Sequence, residues 1–422
     1  MDRSHRRLRR AAAALAATAV ATGAFVLIQG DAQAAPGDPL AGFGSAGALD
    51  LGLPSGCTTC PDASSVVDTW RLAPAAGDVV AGYDWIGGTT GTEPVVGDDA
   101  PERPPSGTAL ALVAGGSVSW HIALEGAPGE EVQLLAVGYQ PSPATVIAVV
   151  AVVQPGATLA DPDTQLRQEI RRFSPTGTAG TTTSLPTGAH GAWTDAAVAP
   201  DGTVVGIEAG STGAQELPSD TLRRYDAAGA ARWTTTLPTG DAVEDVEVSA
   251  AGRVVVAGST ATIDDGAHDG LLLALTDAGA LDTSFGVGGR IVSPAPAQQA
   301  RAFTAADVDG DAVAAVGADW WQPTDPDAES DEGPGALVAA RTSGGALDPT
   351  FDGDGLVVVP WEPGLGPRTD PTDVLVDGSR TVLGGYAVQA DAFTTDAALV
   401  RRGADGAADD AFVADGTAAR GL

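Results

Sequence analysis

Two short acidic stretches hold the densest oxygen chemistry in the chain. Asp307-Val308-Asp309-Gly310-Asp311 and Asp352-Gly353-Asp354-Gly355 alternate carboxylates with glycine, the pattern by which short loops wrap a hard cation such as calcium. Neither has the closing Glu of an EF-hand. The competing reading is a pair of strand-linking turns, where Asp and Gly belong on conformational grounds alone. A second set is aromatic. Trp85, Trp193, Trp320, Trp321 and Trp361 lie in or beside long irregular segments, with Asp325, Asp327, Glu329, Asp331 and Glu332 among their neighbours. Indole planes edged by acids suit a sugar or a cationic peptide, stacking for area and carboxylates for orientation. Against this stands the tendency of tryptophan to cap apolar elements.

Other chemistries find little support. There is no G-x-S-x-G elbow and no H-E-x-x-H, and a chain without lysine has no Walker loop. His121, His190 and His268 stand far apart in sequence. Two carboxylates would suffice for glycoside hydrolysis, and spacing alone does not test that. Gly42-x-Gly44-x-x-Gly47 matches a dinucleotide fingerprint only as a string, with no strand before it and no helix after. Cys57 and Cys60 are the only cysteines and read as a local disulfide in an exported protein. A redox pair would want a helix N-terminus, and zinc would want four ligands.

Composition sets the compartment and excludes one class of partner. The 422 residues carry 22 basic and 55 acidic side chains, a net charge of −33. Such a surface repels phosphate backbones, so nucleic acid is not expected. Residues 1–34 combine five arginines, the apolar run from Ala11 to Ile28 and the small-x-small word Ala32-Gln33-Ala34. That is the form of a cleaved secretory signal peptide, and it implies a secreted or cell-surface protein. No other segment is long and apolar enough to span a membrane as a helix, and the mature chain is expected to be a monomer.

These residues must be positioned by a repeat. A phenylalanine followed four residues later by glycine occurs at Phe43–Gly47, Phe285–Gly289, Phe351–Gly355 and Phe412–Gly416. Around it a longer unit recurs. An acidic residue (Asp68, Asp195, Asp245, Asp307, Asp373) heads a short apolar strand, and a glycine turn leads to a β-branched strand such as VVVAG to Gly258. A third strand then ends in a second glycine turn, as in RRYDAAG to Gly229 and LALTDAG to Gly279. The Phe–Gly word, or Trp120 or Trp233 in its place, begins a fourth. Such hairpin signatures, four strands per unit, predict propeller blades.

The fold expected for residues 35–422 is therefore an all-β, single-domain β-propeller of six four-stranded blades, with seven as the alternative. The blades are expected to start near 66, 131, 193, 243, 301 and 372. Residues 36–53 are expected to add a closing outer strand, since closure removes open sheet edges.

The paired words LDTSFGVGG from Leu281 and LDPTFDGDG from Leu347, with the β-branched hairpins before them, resemble the delta-60 repeats of exported bacterial β-propellers. The resemblance is good from about Val243 to Gly416 and weak before Trp193. It implies a propeller and an exported location, and it transfers no catalytic residue. The word YDAAGAARW, from Tyr225 to Trp233, is similar to the tryptophan-docking repeats of quinone-dependent dehydrogenase propellers, once and locally.

The function expected is an exported, non-catalytic binding module for extracellular or cell-wall glycan or protein. The alternative is a propeller enzyme, quinone-dependent or carbohydrate-active. Trp320, Trp321, Trp361, Trp193 and Trp85 are the candidate ligand contacts. Asp307, Asp309, Asp311, Asp352 and Asp354 are the candidate calcium ligands.

Overall fold

The computed structural model describes residues 66–75, 78–86, 106–114, 117–128, 130–153, 166–185, 193–210, 219–261, 268–296, 299–321, 336–359, 368–388, 395–409 and 417–421. Among them there are strands and turns and no helix, arranged as the six sheets of a six-bladed β-propeller. The signal segment, Cys57, Cys60, the Phe43 word and Trp361 lie outside the described residues.

Two compact units are distinguished. The first holds two antiparallel meanders. One is β1 (Val66–Ala75), β2 (Asp78–Ile86), β3 (Ser106–Ala114) and β4 (Ser117–Leu124); the other is β5 (Glu131–Pro141), β6 (Ala144–Val153), β7 (Leu166–Phe173) and β8 (Ala179–Leu185).

The second unit holds four sheets. Its first two are β9 (Trp193–Val198), β10 (Val204–Glu208), β11 (Thr221–Tyr225) and β12 (Ala231–Thr236), then β13 (Asp241–Val248), β14 (Val254–Ala261), β15 (His268–Leu275) and β16 (Arg290–Ser293). The next is β17 (Gln299–Asp309), β18 (Ala312–Trp321), β19 (Ala336–Ser343), β20 (Ala346–Leu347) and β21 (Leu356–Val359), where β19 pairs with both of its successors. The last is β22 (Arg368–Asp377), β23 (Arg380–Val388), β24 (Thr395–Arg402) and β25 (Thr417–Gly421). Its outer strand thus comes from the chain's own end, directly after the Phe412 word.

The second strands β14 and β18 read as near-continuous apolar runs because both their faces are buried between neighbouring sheets of the second unit. In β14 the period of two sends Val254 and Val256 into the core shared with β9–β12, and Val255 and Ala257 into the core shared with β17–β21. Valines of β6 and leucines of β3 meet in the first unit in the same way.

A bulge recurs in the first strand of every sheet, at Asp68, Leu135, Thr194, Glu244, Thr304 and Thr372. An extra residue at a constant place bends and twists each inner strand in the same way. Opposite it the partner backbone comes very close. A Cβ on Gly258 would overlap the Ala242 carbonyl and sit 2.7 Å from Val243 Cα; one on Gly317 would overlap the Ala302 carbonyl and sit 2.7 Å from Phe303 Cα. Glycine at the end of the "VVVAG" word is therefore a packing requirement.

The Phe–Gly word builds the same corner twice. Asp282 Oδ1 accepts the Ser284 N–H and hydroxyl, the Phe285 N–H donates to Asp282 O, and the Gly289 N–H donates to Phe285 O. Asp348, Thr350, Phe351 and Gly355 repeat each bond in turn. Phe285 and Phe351 are fully buried, each filling the core between its own sheet and the next.

We predict that Gly317→Ala, at a position with ordinary strand dihedrals, costs about 2 kcal/mol through overpacking alone. Urea unfolding checks this, and a loss below about 0.5 kcal/mol would contradict the close-approach reading.

Candidate functional site

In each sheet the first two strands are joined by a tight turn, and the connection from the second strand to the third is the longer one. Those longer connections run from Ile86 to Ser106, Val153 to Leu166, Glu208 to Thr221, Ala261 to His268, Trp321 to Ala336 and Val388 to Thr395. All six leave from equivalent strand ends, and such loops on a rigid scaffold are where binding groups gather. Trp320 and Trp321 are the last two residues of β18, opposite Ala300 and Gln299. Trp85 is the penultimate residue of β2, opposite Val67 and Gly107.

Trp193 is placed differently. It opens β9 but is only 2% exposed; its ring covers Gly206 and lies 5.7 Å from the Tyr225 ring. A ring seated where a Cβ would collide is a core residue, not a loop contact.

The end of β18 is anchored by charge. Arg301 on β17 donates Nε and Nη2 to the two oxygens of Asp319 at 2.6 and 2.8 Å, and its Nη1 donates to Ser293 Oγ at 2.6 Å. Arg301 and Asp319 are both buried. A bidentate, desolvated pair with a third hydrogen bond fixes direction as well as energy. It holds the strand immediately before Trp320.

The candidate calcium ligands are engaged in the turns themselves. Asp307 Oδ1 accepts the Val308 N–H at 2.8 Å and Oδ2 the Val376 N–H at 2.6 Å. Asp309 and Asp311 flank the left-handed Gly310, and Asp311 reaches Arg253 at 3.4 Å. Asp352 itself adopts φ 53° and donates its N–H to Asp405 O, while Asp354 accepts the Leu356 N–H. Among the described residues no three acidic, imidazole or thiol groups come together to hold a metal ion.

Two clusters have no counterpart in the motif reading. In the first unit a cavity of about 350 Å³ is lined by residues of the β4–β5 connection, β7 and β8, including Glu125, Arg167, Glu169 and Arg171. Arg167 donates to both oxygens of Glu130, at 2.5 and 2.8 Å, and to Glu169 at 2.7 Å; Arg171 donates to Glu169 and to Glu125 O. The Arg167 hydrogen bonds hold Glu130 down at about 2, so it stays ionised at neutral pH and cannot serve as a general acid. The alternating charges of Arg167, Glu169 and Arg171 were the available signal, since a period of two puts all three on one strand face.

The other cluster pairs the Tyr83 hydroxyl with His121 Nε2, the rings 5.6 Å apart. Burial lowers the His121 pKa to about 4, leaving a neutral imidazole at neutral pH. Tyr83 is 1% exposed, and His121 is half-buried.

No protein-family model matches the chain, and no curated relative does. Solved structures resemble it distantly. Two point variants of Synechocystis apocarotenoid oxygenase give 9% and 10% identity over 69% and 74% of this chain, with TM-scores of 0.38 and 0.41. A puromycin hydrolase gives 13% identity over 79% of this chain, with a TM-score of 0.41. The chain spans 64% and 67% of the two oxygenase chains and 53% of the hydrolase. Likenesses this remote carry neither activity to this protein.

Arg301→Met should cost about 3–5 kcal/mol by stranding a buried carboxylate, and adding Asp319→Leu should recover most of that loss. Chemical denaturation of both variants checks it; equal stability of single and double variants would show that the pair is not desolvated.

Proposed function

We propose that this chain is an exported β-propeller of the delta-60 repeat type that binds extracellular or cell-wall glycan or protein without catalysis. The observation that carries the reading is the end of β18. Two consecutive tryptophans follow an aspartate locked to a buried arginine, and the segment after them is rich in acids. A rigid strand leading into an aromatic, acid-rich connection suits recognition of a neutral sugar or a cationic peptide. The arginine-saturated carboxylates around the first unit's cavity speak against acid–base chemistry there. The proposed leader, residues 1–34, supplies export, and the excess of acids keeps the mature protein off polyanions.

The test is retention on purified cell wall and on a panel of polysaccharides. The Trp320→Ala, Trp321→Ala double variant is expected to lose at least tenfold in affinity, about 1.4 kcal/mol, with an unchanged melting temperature. Undiminished retention would assign binding to another part of the molecule.

A further inference from the structure

The cavity in the first unit is walled by two strands and one connection. On β7 the period of two sets Arg167, Glu169, Arg171 and Phe173 on one face. On β8, Thr182 stands opposite Arg171 and Ala179 opposite Phe173, while Gly180 and Thr181 together oppose Arg172 alone. That extra residue is a bulge, and a bulge bends the strand that carries it. A Cβ on Gly180 would sit 3.1 Å from Arg172 O, a tight fit at the bend. Ala179, Gly180 and Thr182 line the cavity from this curved outer strand.

The third wall is the β4–β5 connection, which charge ties down. Arg167 donates Nη1 and Nη2 to the two oxygens of Glu130, the Ala127 N–H donates to Glu130 Oε2 at 2.8 Å, and the Glu130 N–H donates to Ala127 O at 2.8 Å. A Cβ on Gly126 would come within 2.8 Å of Glu130 Cβ, so the close pass favours glycine. Glu169, only 5% exposed, accepts Arg167 Nε on Oε1 and Arg171 Nε on Oε2. These bonds fix both guanidinium planes without exhausting them. Each guanidinium keeps N–H groups on Nη1 and Nη2 that its bonds to Glu130, Glu169 and Glu125 O do not use. Among the described residues Glu169 Oε1 accepts that one bond, and Thr182 is exposed.

We propose that this cavity binds a single neutral sugar unit, at a second site that does not involve the tryptophans of β18. At about 350 Å³ it lies at the lower end of small-molecule sites, roughly 300–1,000 Å³, which is room for one ring with its hydroxyls. A hydroxyl both accepts and donates, so it takes an arginine N–H while giving its own proton to Glu169 or Thr182. Phe173, Ala123 and Ala127 supply apolar surface for the C–H groups of the ring. Charge selects against other ligands. The guanidiniums on the wall repel a cation. Glu130 and Glu169 already neutralise them, so no local excess draws an anion toward a chain of net charge −33. The inference is independent of the reading of β18, which belongs to the other unit.

The experiment follows the amide resonances of Gly126, Gly180 and Thr182 in the full chain as methyl glycosides of glucose, galactose, mannose and N-acetylglucosamine are added. At least one glycoside should shift these amides saturably, and methyl glucuronide should not. Thr182→Trp on the outer strand and Ala127→Trp on the connection both change exposed side chains and fill the cavity. Each should weaken that binding at least about tenfold, and either suffices should the other fail to fold. The Trp320→Ala, Trp321→Ala double variant should bind the glycoside as the wild type does. The proposal is overturned if none of the glycosides moves these amides, or if the glucuronide binds as tightly as the neutral sugar. It is equally overturned if the cavity-filling variants keep wild-type affinity, or if the β18 double variant abolishes binding.

Discussion

Neighbouring sheets within each unit meet where one backbone turns through a left-handed glycine and the preceding sheet's last strand lies directly against it. Trp120 covers Gly177 (φ 79°) and donates its indole N–H to Pro175 O at 2.8 Å; Trp233 covers Gly279 (φ 81°) and donates to Asp277 O at 2.9 Å. At the next two seams the Phe–Gly word takes over. The Gly286 N–H donates to Gly345 O at 2.5 Å, and the Asp352 N–H to Asp405 O at 2.9 Å. Two chemistries, an indole and a backbone amide from a tight corner, thus satisfy one steric condition. Any Cβ on the receiving glycine would both strain the turn and enter the space its partner fills.

Two further sets of contacts depend on that approach. At each of the same four seams an acid crosses to a backbone amide of the following inner strand: Asp84 to Leu134, Asp195 to Val246, Asp245 to Ala306 and Asp307 to Val376. Arginines cross near the tight turns. Buried Arg224 donates to Gly252 O, and Arg341 donates to Gly378 O and Ser379 O. Many of the acids that make the chain so negative are thus structural acceptors.

Much of the fold was legible because turn chemistry and strand period leave separate marks. Glycine at fixed offsets and β-branched runs between them announced four-stranded units, and Trp120 and Trp233 were read correctly as replacements for the Phe–Gly word. Bulges leave no such mark, because the extra residue can be Asp, Leu, Thr or Glu. Asp307 was therefore aligned with Asp195, Asp245 and Asp373, although it lies one row further along its strand. Trp193 illustrates a different limit: it borders a long segment and is polar enough to meet a ligand, yet Gly206 leaves room for its ring beneath the surface. The Arg167–Glu130 contact joins residues far apart in sequence, and only the meander brings them together.

The claim on which all this rests is that the docking bonds at the glycine turns hold each sheet to the next. Native-state hydrogen exchange at the amides of Gly286 and Asp352 measures it most directly. If the docking is structural, both amides should exchange only through global opening, with a denaturant dependence matching that of core amides in β14 and β18. Rapid exchange at both, independent of denaturant, would mean the sheets are held by side-chain packing alone.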